Sequence, residues 1–176
     1  MNTFNKNKRP LIAFALTTAM GLGMVGNIDQ VVAATDTQNL NVTASITNKC
    51  KLANPVDVAF GSYDPVVTNA VANLDANGSF DVKCTKGGTG ILSISNGNNF
   101  STPDRQMSDG GSGLLTYYLY TTTGRTVIWN ATNTVTYGPT SNASNTTETV
   151  YGRIPGGQVN AIAGSYSDVV VVTVTY

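Results

Sequence analysis

The chain contains no histidine. This absence removes the commonest general base and the commonest metal ligand, and with them the Ser-His-Asp and Cys-His arrangements. Charge is also scarce, at 11% of residues. Of ten Lys/Arg, three precede residue 35; of ten Asp/Glu, one does, which leaves seven against nine and a net charge of −2 beyond that point. Without a basic cluster to neutralise phosphates, nucleic acid is not an expected partner. Glu148 is the one glutamate, so a carboxylate pair would need two aspartates or Glu148 with one of them. Asp104 and Asp109 bracket Arg105 in a glycine-rich stretch, a grouping that suits loop hydrogen bonding better than chemistry. Asp36, Asp104 and Asp109 lack calcium-loop spacing. The runs Gly87-Gly-Thr-Gly90 and Gly110-Gly-Ser-Gly113 lack the Lys-Ser/Thr ending of a phosphate-binding loop, and no helical pattern follows them. They read as turns. No catalytic residue, cofactor or metal is expected.

The first residues read as an export signal. Lys6, Lys8 and Arg9 form a basic start, residues 11–25 are mostly apolar, and Val32-Ala33-Ala34 offers a small-residue cleavage site after Ala34 or Ala33. An uncleaved anchor is the alternative. The later apolar run at 169–174 is far too short to span a membrane. Removing residues 1–34 leaves enough chain for one domain with its own core. Both cysteines, Cys50 and Cys84, fall in the exported part, where an even count reads as one disulfide.

Good helix formers are few beyond residue 35, while Thr, Val, Asn, Ser and Gly are plentiful. Short alternating runs separated by turn residues predict an all-β sandwich. Phe80, Val82 and Cys84 share one face of a strand that opens after Asn77-Gly78. Residues 91–94, 114–122, 126–129 and 149–154 read as further strands, and 165–176 as a last one. Residues 97–113 and the polar tract 139–147 read as long loops. Trp129, Tyr117, Tyr118 and Tyr120 fit either a sugar-binding patch or, with more reason, core and cross-strand packing. Six Asn-x-Ser/Thr triplets, at Asn41, Asn77, Asn99, Asn130, Asn142 and Asn145, are what chance yields in so Asn- and Thr-rich a chain.

Two segments need partners. In an extended chain Leu40, Val42, Ala44 and Ile46 all point the same way, and so do Val170, Val172, Val174 and Tyr176. Residues 40–46 either form the domain's own first strand or lie beside the last strand of another copy. The pattern alone leaves both open.

The ordered motifs Cys50-Lys-Leu, Asp57-Val-Ala-Phe-Gly-Ser-Tyr-Asp-Pro65, Gly78-Ser-Phe-Asp-Val-Lys-Cys84, Ile94-Ser-Asn-Gly97, Arg105-Gln-Met107, Leu115-Thr-Tyr-Tyr-Leu-Tyr120, Val150-Tyr-Gly-Arg-Ile-Pro155 and Gly164-Ser-Tyr-Ser-Asp168 make the chain resemble the spore coat protein U domain family. That family includes major pilin subunits of archaic chaperone–usher (Csu-type) pili. The resemblance implies an incomplete immunoglobulin-like β-sandwich over residues 47–176, preceded by an N-terminal donor-strand arm at 35–46. It implies a structural, non-enzymatic pilus subunit, exported through the periplasm to the cell surface and supporting adhesion or biofilm formation. Its partners would be a periplasmic chaperone, an outer-membrane usher and identical or related subunits. By the same resemblance Leu40, Val42 and Ala44, with Ile46, are donor positions. Val170, Val172, Val174 and Tyr176 flank the acceptor groove, and Cys50 with Cys84 is the family disulfide. A secreted binding module, or a self-assembling coat protein, is the alternative.

Overall fold

The computed structural model describes residues 33–176. The expected signal peptide, residues 1–34, thus lies outside the described residues apart from Ala33 and Ala34. The chain divides into two units, residues 1–43 and 44–176. In the first, residues 33–43 form neither helix nor strand.

The second unit is all β. Its strands are β1 (Cys50–Val56), β2 (Leu74–Cys84), β3 (Gly90–Ile94), β4 (Arg105–Ser108), β5 (Leu114–Tyr120), β6 (Val135–Tyr137), β7 (Thr146–Ile154) and β8 (Val172–Thr175). They make a five-stranded sheet, β1-β2-β7-β5-β4, and a three-stranded sheet, β6-β3-β8. Every strand pairing is antiparallel. The period-two pattern sets the inner faces: Phe80, Val82 and Cys84 on β2, Leu92 and Ile94 on β3, and Leu115, Tyr117 and Leu119 on β5 are buried.

Trp129 fills the space between the sheets. Its ring lies 5.9 Å from that of Phe80, and its Nε1 donates to the Leu92 carbonyl at 3.1 Å. Tyr137 donates its hydroxyl to the Val82 carbonyl at 3.2 Å. These polar tips are satisfied inside the core, as burial of Trp and Tyr requires. Trp129, Tyr117 and Tyr120 are therefore core residues rather than a stacking surface. Cys50 and Cys84 stand opposite each other in the β1–β2 register and are joined by a disulfide. On the outer face of the large sheet, Arg153 holds Asp75 with two hydrogen bonds at 2.7 and 2.9 Å, and Arg125 approaches the same carboxylate at 3.3 Å. The Arg153 hydrogen bond, aided by the charges of both arginines, lowers the Asp75 pKa.

Several elements differ from the sequence expectation. Residues 105–108, read as loop, form β4. Of residues 126–129 only Ile128 bridges, to Tyr120. Residues 135–137 form β6, a strand not expected. The last strand is laddered only over Val172–Thr175. Upstream, Ser167 exchanges two backbone bonds with Ser108 (3.0 and 2.9 Å), while Ser95 N–H donates to the Val171 carbonyl at 2.9 Å. The segment thus crosses from one sheet's edge to the other.

Candidate functional site

A trench opens where the sandwich would need one more strand. Its walls are residues 55–63, which leave β1, and residues 161–172, which lead into β8. Its floor is the buried core itself, including Phe80, Ile94, Leu115, Tyr117, Leu119, Val150 and Ile154. Two contiguous cavities of about 730 and 450 Å³ make up its length, meeting at Val58, Phe60, Met107 and Tyr166. β8 pairs with β3 on one side, and among the described residues no strand pairs with its other side. Core side chains and a row of backbone groups therefore face an open slot, which a strand of alternating character would satisfy.

The wall at residues 57–60 lies flat because two glycines make room. A Cβ on Gly152 would stand 2.6 Å from Val58 Cγ1 and 2.8 Å from Phe60 Cζ; one on Gly78 would stand 2.7 Å from Val58 Cγ2. Phe60 then meets Tyr117 edge-on with ring centres 6.4 Å apart. Gly152→Val should push Val58 and Phe60 off the sheet and cost about 1–3 kcal/mol, the usual penalty of overpacking. A denaturant melt checks this; an unchanged midpoint would mean that the wall is not seated on the sheet.

The trench is nearly uncharged. Asp57 and Asp168 are the charged residues among its lining. Asp168 accepts the Tyr117 hydroxyl at 2.6 Å and the N–H groups of Asn98 and Val169 at 2.8 Å each. Burial, with the Asp168 bond second, raises the Tyr117 pKa. Tyr118, on the other face, donates to Asp104, and this bond, followed by burial, pushes its pKa up to about 12.

Beneath the trench lies Arg105, only 2% exposed. Its Nε donates to the Ser95 carbonyl at 3.0 Å, and its Nη2 donates to the carbonyls of Ser95 (2.7 Å), Trp129 (2.7 Å) and Ile94 (3.3 Å). Burial lowers the pKa of this guanidinium. The side chain ties β4, on the large sheet's edge, to the end of β3 in the other sheet.

The structure places the sequence-derived positions as follows. Leu40 and Val42 are 88% exposed and Ile46 85% exposed; Ala44 is exposed too. Residues 33–49 belong to no strand, and the first backbone bond to the sheet is the one Thr85 N–H donates to the Lys49 carbonyl at 2.8 Å. Val170 and Val172 line the trench. Val174 pairs with Leu92 beyond the trench, near Gly90, and Tyr176 lies past the last laddered residue, half exposed. The sequence reading missed the wall at 55–63, the wall at 161–166, Met107 and Arg105. In the motif Val56-Asp-Val-Ala-Phe60 the alternation was present and pointed to an inward face; residues 161–166 carry no such signal.

This geometry defines an immunoglobulin-like β-sandwich left open along one edge. A family model described as "Spore Coat Protein U domain" matches residues 36–173, and the chain belongs to that family. "Protein U" of Myxococcus xanthus is 33% identical over 156 residues, covering 82% of this chain and 87% of that protein. The fold is also similar to a chain in the crystal structure of the CsuC–CsuE chaperone–tip adhesion subunit pre-assembly complex from archaic chaperone–usher Csu pili of Acinetobacter baumannii. The TM-score is 0.52 and the identity 17%, over 74% of this chain. The match spans 40% of that solved chain.

Proposed function

We propose that this chain is a non-enzymatic structural subunit of a bacterial surface pilus, assembled by donor-strand exchange. A periplasmic chaperone first fills the trench with a strand of its own, and an outer-membrane usher replaces that strand with residues 35–46 of the next subunit. Leu40, Val42 and Ala44 enter the trench between the two walls, and Ile46 follows them. Val170 and Val172 receive them, with Val174 and Tyr176 continuing the acceptor strand. The observation that carries this reading is the pairing of an open apolar trench with an exposed, alternating, unladdered arm on one chain. Burying Leu40, Val42 and Ile46 gives roughly 1.5–3 kcal/mol each before ordering costs, and ladder bonds add to it. The fold likeness to a pilus subunit and the family membership support the same reading.

Deleting residues 35–44 should abolish the ladder of polymers seen on gels of unboiled samples while leaving the exported subunit folded. An unchanged ladder overturns the proposal.

A further inference from the structure

The end of the sandwich opposite Cys50 is built from two loops, residues 64–72 and 155–164. They form one body. Gly157 N–H donates to the Asn69 carbonyl at 2.8 Å. The Tyr63 hydroxyl donates to the Pro155 carbonyl at 2.9 Å and accepts from Gln158 N–H at 3.1 Å. Asp64 is the one charged residue of the two loops, and its carboxylate is spent on the N–H groups of Val66, Val67 and Thr68. What faces outward is apolar: Val66, Val67, Val71, Val159 and Ile162 are all exposed, Val71 by 89%. Single exposed aliphatics are ordinary, but several on one end with no free charge mark a contact surface. The patch runs into the trench, because Val66 and Ile162 also line its mouth.

We propose that this apolar end docks a second copy of the chain, against the end of that copy from which its arm leaves. The inference rests on the reading of the trench as the acceptor for that arm, and it follows from strand direction and reach. Every described ladder is antiparallel, the more stable arrangement per residue. The wall strand runs from Ile162, at the apolar end, to β8, whose Val174 lies beside Gly90 and Cys50. A strand that pairs with the open side of this β8 wall in the antiparallel sense, and so runs parallel to the wall at residues 55–63, places its later residues at the apolar end. In the arm those are Ala44 and Ile46. Directly after them the chain is pinned to its own body: Thr85 Oγ1 donates to the Thr47 carbonyl at 3.3 Å and accepts from Lys49 N–H at 3.0 Å, and Asn48 Nδ2 donates to the Thr89 carbonyl at 2.9 Å. With Ala44 as the last side chain in the trench, three residue steps remain before Thr47, about 10 Å of extended chain. That reach cannot hold two bodies apart. The incoming copy's Thr85, Lys86 and Thr89 stand over the valine patch, and its Ile46 lands against Val66 and Ile162.

Two measurements on the exported full-length chain test this. In a Val67→Cys variant, a short amine-to-thiol cross-linker should join the introduced thiol to Lys86 of a second copy, giving products that survive boiling. In a Val67→Ser/Val71→Ser/Val159→Ser variant, whose three positions lie on the exposed patch but outside the trench lining, the unboiled ladder should persist while the bending persistence length of the fibres, read from electron micrographs, falls several-fold. An intact ladder with no copy-to-copy cross-link and unchanged stiffness overturns the docking surface and leaves the arm-in-trench reading standing. A cross-link only to some other protein also overturns it. No ladder from the unaltered chain overturns both.

Discussion

Replacing Arg105 with alanine should cost the fold about 3–5 kcal/mol, the combined penalty of leaving buried carbonyls without their donor and of the cavity that remains. The side chain is nearly inaccessible and donates to three carbonyls, those of Ile94, Ser95 and Trp129. Alanine leaves those acceptors unpaired and opens a cavity under the trench. Against a typical total of about 5–15 kcal/mol, the loss is a large share of stability. Arg105→Lys should rescue only part of it, since an ammonium lacks the planar fork that reaches several acceptors at once. Trp129 is the one tryptophan in the chain and sits on the network, so its fluorescence in a denaturant melt reports the effect directly. A midpoint matching the unaltered protein would show that the network contributes nothing.

Removing the disulfide, by reduction or by Cys50→Ser/Cys84→Ser, should lower stability by about 4 kcal/mol at most, the chain-entropy value for a loop closed over this separation. The separation is 34 residues. The bond anchors β1, an edge strand whose one sheet neighbour among the described residues is β2, and β1 continues into the trench wall at residues 57–63. Loss of the bond should therefore loosen the wall as well as the strand. Denaturant melts with and without reductant give the first quantity, and hydrogen exchange at residues 57–60 gives the second. Equal midpoints in both states would refute the stabilising role.

The parts of the fold that were legible in the sequence are those where one strand carries its own signal. Phe80, Val82 and Cys84 alternate cleanly, and their inner face is buried. The two cysteines, Cys50 and Cys84, pair with each other. What was illegible depends on contacts made elsewhere. β4 hides in a polar, glycine-rich stretch because its buried member is an arginine satisfied by carbonyls from two other segments, not an aliphatic residue. Residues 126–129 look like a strand, yet the side chain of Asn130 accepts the N–H groups of Thr132 and Asn133 and turns the chain at once. The long valine run at the carboxyl end reads as one strand. In the structure it is split, because residue 167 is bonded to one sheet and residues 171–175 to the other. The trench itself was legible only as a want of partners: its walls come from segments about a hundred residues apart, and no local pattern announces that they meet.

The position of the disulfide also sets how tension would pass through the molecule. A pull on the arm reaches the domain at residues 47–49 and arrives next at Cys50, the first residue of β1. Without a cross-link, that pull would unzip the edge strand one ladder bond after another. With it, the load passes covalently to Cys84, the last residue of β2, which has ladder neighbours on both sides. The weakest strand is bypassed, and the strain falls on the longest strand of the sandwich.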